Sequence, residues 1–290
     1  MDELRLKALA KVNIGLDVLR KREDGYHEVR MIMQTIHLFD KLRIKKTKEP
    51  GIKINSNLYY LPVNENNLIH KAAKLMMEEF SIQEGIEVFL EKHIPVAAGM
   101  AGGSTDAAAT LYGLNRMFDL GLSMKSLKEY GVRIGADVPY CLMRGTALAE
   151  GIGEKLTPLA PMPKCPVLVA KPGIAVSTKF VYENLRLDKQ TQHPDIDRLI
   201  ENIEDKNLGK IARDMGNILE TVTIKHYPEI ADLKKIILGT GALNALMSGS
   251  GPTVFGLYEN EKTAKKAYKI VRKSGLAKQL YLTTIYNNRK

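Results

Sequence analysis

Apolar side chains recur along this chain with two different periods. Leu4, Leu6, Ala8 and Ala10 alternate with charged or mixed positions, which predicts a half-buried strand. Residues 15–20 predict a second strand, 29–38 a third and 42–46 a fourth. Glu23-Asp24-Gly25 marks a tight turn, because Asp-Gly suits positive φ. From Asn66, a candidate N-cap, Leu68, Ile69, Ala72, Ala73, Leu75, Met76 and Phe80 recur at helical spacing. Residues 86–90 alternate again, a glycine-rich loop follows at 95–103, and a small-residue helix is expected from about Ser104. Ser123 is placed to cap another helix, which ends near Gly131 to Gly135.

The second half has another rhythm. A short apolar strand at 167–170 follows Pro161 and Pro163. Helices are predicted near 177–185, 195–204, 207–223 and 228–238, with Pro228 suited to a first turn. Strand 243–247, a glycine turn at 249–251, strand 253–258, helix 261–274 and strand 279–286 complete the chain. Without the inserted helices the order is β-α-β-β-α-β, the ferredoxin-like arrangement. The proline-rich stretch near 157–163 sets a boundary between an α/β domain (1–157) and a ferredoxin-like domain (158–290), an α+β chain of two domains.

Composition adds limits. The chain has 290 residues, 44% hydrophobic and 26% charged, an ordinary globular balance. Its net charge of +10 invites an anionic partner. The lysines and arginines at 41–48 alternate with Leu42 and Ile44, and those at 262–273 lie opposite an apolar helical stripe, so both sets read as solvated faces. With no Trp and 6% aromatic residues, basic patches interleaved with aromatics are not evident, and nucleic acid is not the expected partner. Cys141 and Cys165 make neither a disulfide framework nor a four-cysteine zinc site. No basic region followed by an apolar run opens the chain, and no stretch reaches the ~18 apolar residues of a membrane span. A cytoplasmic protein away from membranes is the expectation.

Four segments carry candidate chemistry. In Pro95-Val96-Ala97-Ala98-Gly99-Met100-Ala101-Gly102-Gly103-Ser104-Thr105, glycines let backbone approach a ligand, and the following helix start points N–H groups at it. No Gly-Lys-Ser/Thr follows, so this is not a Walker A loop. A capped turn is the bland reading. Asp137, within Gly135-Ala136-Asp137-Val138-Pro139-Tyr140, either shapes a turn or accepts the proton of a substrate hydroxyl. Lys11, in Ala10-Lys11-Val12-Asn13-Ile14, is either a strand-edge lysine or the partner of an anion. Ser248-Gly249-Ser250-Gly251 is either a hairpin turn or a second glycine loop over phosphates.

In this order and spacing the segments resemble the GHMP kinase superfamily (galactokinase, homoserine kinase, mevalonate kinase and relatives). Lys21-Arg22-Glu23-Asp24-Gly25-Tyr26-His27-Glu28 and Gly145 to Glu154 narrow the resemblance to a branch acting on a cytidine-bearing polyol. The resemblance implies transfer of the γ-phosphoryl group of ATP, with Mg²⁺, to an alcohol of that small molecule. Asp137 would be the base, and Lys11 would orient the hydroxyl. Asn13 would hold the substrate, Tyr26 would stack on the cytosine, and His27 would hydrogen-bond near it. The loop from Pro95 to Thr105 would wrap the ATP phosphates, with Asn67 near the adenine. Ser104 or Thr105 could offer the metal a hydroxyl. Ala101 stands where the family loop usually has glycine, and Thr105 where serine is usual. A homoserine or mevalonate type of kinase is the alternative within the superfamily. A basic nucleic-acid binder is the alternative outside it.

Overall fold

The computed structural model describes residues 1–188 and 190–288. The chain forms two compact units. One comprises Met1–Ala10, Leu38–Val96 and Ala101–Met143. The other comprises Lys11–His37, Ala97–Met100 and the residues from Arg144 onward. This division cuts the chain elsewhere than a sequential split at 157/158. The reason is that two long strands, β1 (Glu3–Lys21) and β2 (His27–Thr47), each give one half to either unit. Each was expected as two separate strands. Residues 8–18 of β1 are buried without a break, so the period-two alternation that marks a half-exposed strand fades there.

In the first unit, the outer half of β1 and the far half of β2 join β3 (Ile52–Ser56) and β4 (Gly85–Glu91) in the order β3-β4-β2-β1. β4 runs antiparallel to β2 from Lys41↔Glu91 to Thr47↔Gly85, and β3 runs parallel to β4. Helices α1 (Leu68–Glu79), α2 (Gly102–Met117), α3 (Met124–Val132) and α4 (Val138–Met143) complete the unit. α2 lies very close to the strands. A Cβ on Gly113 would stand 2.8 Å from Leu6 Cδ1 and 2.9 Å from Ile44 Cδ1. Ile44, Val88, Ala72, Met76, Leu111 and Leu114 are fully buried in this core. Ser123 caps α3 as its sequence predicts, accepting from Ser126 N–H. The cap of α1 is Asn67 rather than Asn66, and its Oδ1 accepts from Ile69 N–H. β3 and α4 were not predicted.

In the second unit, β5 (Thr146–Gly151) pairs with β2 from Val29↔Gly151 to Gln34↔Thr146, and β6 (Lys155–Pro158) pairs with β5. Neither was predicted. Then come β7 (Pro166–Lys171), α5 (Thr178–Asn184), α6 (Ile196–Glu204) and α7 (Leu208–Asp214). After these come β8 (Gly216–Asn217), α8 (Glu220–His226) and α9 (Pro228–Gly239). The helix expected over 207–223 is thus two helices. Gly216 and Asn217 interrupt it by pairing in parallel with Gly15 and Leu16 of β1. β9 (Asn244–Met247), β10 (Val254–Leu257), α10 (Glu261–Ser274) and β11 (Gln279–Thr284) close the chain. The sheet order is β11-β7-β10-β9, antiparallel throughout, which is the ferredoxin-like order. α9 and α10 pack on this sheet. A Cβ on Gly256 of β10 would stand 2.5 Å from Ile237 of α9, so that strand and helix meet closely.

Candidate active site

Residues 97–100 of the glycine-rich loop are held from two sides within the second unit. Lys11 N–H donates to Met100 O at 3.2 Å, tying the loop to β1. Ser248 Oγ donates to Gly99 O at 2.9 Å, tying it to the turn after β9. Gly99 has φ +71, and a Cβ there would lie 2.0 Å from Ser248 O, so the approach needs glycine on both counts. The turn itself is braced. Asn217 Nδ2 donates to Met247 O and Gly249 O, both at 2.8 Å, and Met247 N–H donates to Glu220 Oε1 at 2.8 Å. Ser248-Gly249-Ser250-Gly251 is therefore a clamp on the loop as well as a turn. Asn217 and Glu220, which hold it, do not stand out in the sequence.

The loop continues into α2 in the first unit. The helix starts at Gly102, two residues before the expected Ser104, with Ala101 as its N-cap at φ 56. This is the left-handed region, in which a residue bearing a Cβ pays ~1–2 kcal/mol. The alanine is tolerated at a position whose conformation favours glycine. Gly102, Gly103 and Ser104 occupy the first turn, where backbone N–H groups have no partner within the helix, so they face an anion well. Thr105 differs. Its N–H donates to Ala101 O at 2.8 Å, and its hydroxyl donates to Leu9 O at 2.8 Å. That hydroxyl fastens α2 to β1, which leaves Ser104 as the better placed of the two to meet a metal or phosphate.

Beneath the loop lies a buried charge cluster. Lys92 Nζ donates to Asp40 Oδ2 and, at 2.8 Å, to Asp106 Oδ2. All three side chains are under a tenth exposed. Asp40 Oδ1 accepts from His93 N–H and from Ile94 N–H, the latter at 2.8 Å. Asp106 Oδ1 is buried without a partner. Burial pushes the Asp106 carboxyl well above the usual carboxylate range, and Lys92 opposes that shift. Lys92 is itself raised, because the two carboxylates outweigh its own desolvation. With two carboxyl groups around one ammonium, a proton on Asp106 neutralises the cluster. Sequence reading missed Lys92 and Asp40, since neither lies in a glycine motif.

Lys11 and Asn13 sit side by side on β1, with Lys11 Nζ donating to Asn13 Oδ1 at 2.7 Å. Asn13 Nδ2 contacts Met31 Sδ at 3.2 Å. Lys11 is 5% exposed, so it is no strand-edge lysine turned to water. Asp137 belongs to the first unit, at the start of α4, where its carbonyl accepts from Cys141 N–H at 3.0 Å. Asn67 is committed on both sides of its amide, to Ile69 N–H at 2.9 Å and Pro62 O at 2.7 Å. Its side chain therefore shapes the entry to α1.

Tyr26 and His27 stand at the β1–β2 hairpin. Arg22 N–H donates to Tyr26 O at 2.8 Å and Tyr26 N–H to Asp24 Oδ1 at 3.1 Å, while the Tyr26 side chain is left 61% exposed. The His27 ring lies 5.0 Å from that of Tyr182, tilted by 42°. Burial, and then Lys21, hold the His27 pKa below its ordinary value. Tyr182 of α5 is an aromatic neighbour that no sequence motif singled out. The hairpin strands are braced by Arg30, paired with Asp197 at 2.6 Å and Glu150 at 3.4 Å, and by Asp17, 2.7 Å from His193 Nδ1. Among the described residues no group of three His, Cys, Asp or Glu side chains is gathered as a metal cage. A divalent ion fits this site when phosphate oxygens and water supply most of its ligands, as is usual for Mg²⁺.

Comparison with known proteins agrees with this anatomy. The models for the GHMP kinases N terminal domain and the GHMP kinases C terminal match residues 67–145 and 199–277. A 4-diphosphocytidyl-2-C-methyl-D-erythritol kinase of Lachnoclostridium phytofermentans is 56% identical over 100% of this chain and 99% of its own. One of Lachnospira eligens is 54% identical over 99% of each. A solved structure of 4-(cytidine 5'-diphospho)-2C-methyl-D-erythritol kinase superposes with a TM-score of 0.85 at 31% identity, covering 98% of this chain and 100% of that one. Homoserine kinase from Cytophaga hutchinsonii shares the fold, with a TM-score of 0.81 at 22% identity. A glycine-rich loop clamped by a C-terminal glycine turn, together with full-length identity above one half, places the chain in the 4-diphosphocytidyl-2-C-methyl-D-erythritol kinase family of GHMP kinases.

Proposed function

We propose that this protein transfers the γ-phosphoryl group of ATP to a hydroxyl of 4-diphosphocytidyl-2-C-methyl-D-erythritol, in isoprenoid precursor synthesis. The observation that carries the reading is identity of 56% across the whole chain, not over a shared nucleotide-binding portion alone.

An alcohol is a weak nucleophile at neutral pH, and phosphoryl transfer depends on alignment and charge neutralisation. In our reading Asp137 takes the hydroxyl proton as the oxygen attacks. Lys11, oriented by its bond to Asn13, directs that oxygen and offsets developing negative charge. Asn13 adds a polar contact to the substrate. The backbone from Pro95 to Ser104 and the first-turn N–H groups of α2 receive the phosphates, with Thr105 fixing the helix behind them. The α1 start, capped by Asn67, flanks the nucleotide. The exposed ring of Tyr26 stacks on cytosine, and His27 meets the base edge. Mg²⁺, held mainly by phosphate oxygens, screens the β and γ charges. The cytoplasm, where nucleotide pools lie, is the compartment we propose.

A coupled ADP-release assay tests this directly. The acceptors are 4-diphosphocytidyl-2-C-methyl-D-erythritol, homoserine, mevalonate and galactose, each with Mg-ATP. Turnover with the cytidyl acceptor alone, abolished by EDTA and restored by Mg²⁺, is expected. Turnover only with another acceptor sinks the cytidine assignment. EDTA-resistant turnover sinks the metal assignment.

A further inference from the structure

The buried cluster under the phosphate loop touches both ends of that loop. Asp40 Oδ1 binds the N–H groups of His93 and Ile94, the two residues before Pro95. Asp106 lies on α2 a turn beyond Gly102, and so belongs to the helix that begins where the loop ends. Lys92 joins the two carboxyl groups through one ammonium. That ammonium also sits directly beneath the helix start, 3.1 Å from where a Cβ on Gly102 would stand. Lys92 is fixed in turn by its own backbone, because Lys92 N–H donates to Asn57 Oδ1 at 2.8 Å and Asn57 Nδ2 donates to Lys92 O at 3.2 Å. Entry strand and exit helix are thus linked by a chain of short polar contacts that solvent does not reach.

A cluster of this kind is an expensive way to hold two elements together. Burying a carboxyl oxygen without a partner costs stability, and apolar residues of similar size often serve a core as well or better. What an ion cluster supplies and apolar packing does not is a fixed distance and direction. A phosphate loop needs that, because its N–H groups act only where they converge on the same oxygens.

We infer that Asp40 and Asp106, bridged by Lys92, are positioning residues that set the spacing of the phosphate loop and thereby the affinity for ATP. The inference rests on the kinase reading above. Asp106 Oδ2 accepts from Lys92, and its other oxygen faces no donor, so a neutral side chain with one acceptor meets the need. Burial already favours the protonated acid at this position.

The test compares Asp106→Asn with Asp106→Leu in the full-length protein. Binding of a non-hydrolysable ATP analogue and of CDP is measured by titration calorimetry, with the melting temperature alongside. Asp106→Asn keeps an acceptor for Lys92 and is expected to hold analogue affinity within about threefold of wild type. Asp106→Leu removes both the buried oxygen that has no partner and the one that accepts from Lys92, so the melting temperature should fall by several degrees, about 2–4 °C for each kcal/mol lost, with the protein still folded. It also cuts the link to α2, so analogue affinity should fall by about tenfold or more while CDP affinity is unchanged. A Leu variant that binds the analogue like wild type overturns the inference. So does a loss that falls equally on the analogue and CDP, or one that appears equally in the Asn variant. Should Asp106→Leu not fold, Asp40→Asn/Lys92→Met cuts the same link at its other end and carries the same expectation. A wild-type protein that binds no ATP analogue would sink the kinase reading itself, and the inference with it.

Discussion

Gly99→Ala places one methyl group at the tightest point of the glycine-rich loop. The residue has φ +71, where a side chain costs ~1–2 kcal/mol. The new Cβ would lie 2.0 Å from Ser248 O and 2.9 Å from Ser248 C, both backbone atoms with no rotamer to escape into. Loop and turn must therefore part by about an ångström to reach ordinary contact. That movement breaks the 2.9 Å bond from Ser248 Oγ to Gly99 O, worth ~0.5–1.5 kcal/mol net. Together the expected loss is about 1.5–3.5 kcal/mol, above the ~1 kcal/mol typical of point substitutions. A control separates strain from collision. Gly275 follows α10 with φ +73, and a Cβ there meets nothing within 4 Å. Gly275→Ala should lose only the conformational part, about 1–2 kcal/mol, and leave ATP binding intact. Urea denaturation gives the stability difference, and titration with a non-hydrolysable ATP analogue gives affinity. Since Gly99 O also lies against Gly249, loop displacement should weaken the analogue by about tenfold or more, equivalent to ~1.4 kcal/mol. If Gly99→Ala is no worse than Gly275→Ala in either measurement, the clamp is not what holds the loop.

Other expectations follow from the same geometry. Asp137→Asn should lower kcat by about 10²–10⁴-fold with ATP affinity retained, because only the proton acceptor is lost; steady-state kinetics with near-normal kcat would remove Asp137 from that role. Lys11→Met removes the 2.7 Å contact to Asn13 as well as a charge, so kcat should fall steeply, whereas a rise in KM alone would make Lys11 a binding residue. Tyr26→Ala should weaken cytidyl-substrate binding by ~1–3 kcal/mol, the worth of a base–aromatic stack, and unchanged affinity for CDP would argue against stacking. His27 has its pKa lowered by burial, so the unfolded chain binds the proton more readily than the folded one. Its contribution to stability is present above the ordinary histidine value of about 6.5 and is lost as pH falls through the lower folded value. Urea midpoints between pH 7 and pH 5 should therefore fall less in His27→Gln than in wild type.

Much of this protein is written locally. Glycine spacing, a Ser123 cap and the β-α-β-β-α-β order of the second half are set by backbone freedom, capping and side-chain period, which act over a few residues. The ferredoxin-like sheet follows the strand order read from the chain. The motif residues Lys11, Asn13, Tyr26, His27 and Asp137 are likewise visible as unusual polar types in marked surroundings. Where the structure departs from the local pattern, distant segments override it. β1 and β2 are continuous because burial extends along them past the point where alternation fades. The helix expected over 207–223 is interrupted because Gly216 and Asn217 pair with Gly15 and Leu16, about 200 positions away in sequence. Only the tertiary structure decides that Ser248 closes on Gly99, that Asn217 braces the turn, and that Asp40, Lys92 and Asp106 share one buried cluster. The physical reason is range. Propensity and period are properties of neighbours along the chain. A charge placed under a loop, or a carbonyl 2.0 Å from where a methyl group would be, depends on which distant backbone arrives there.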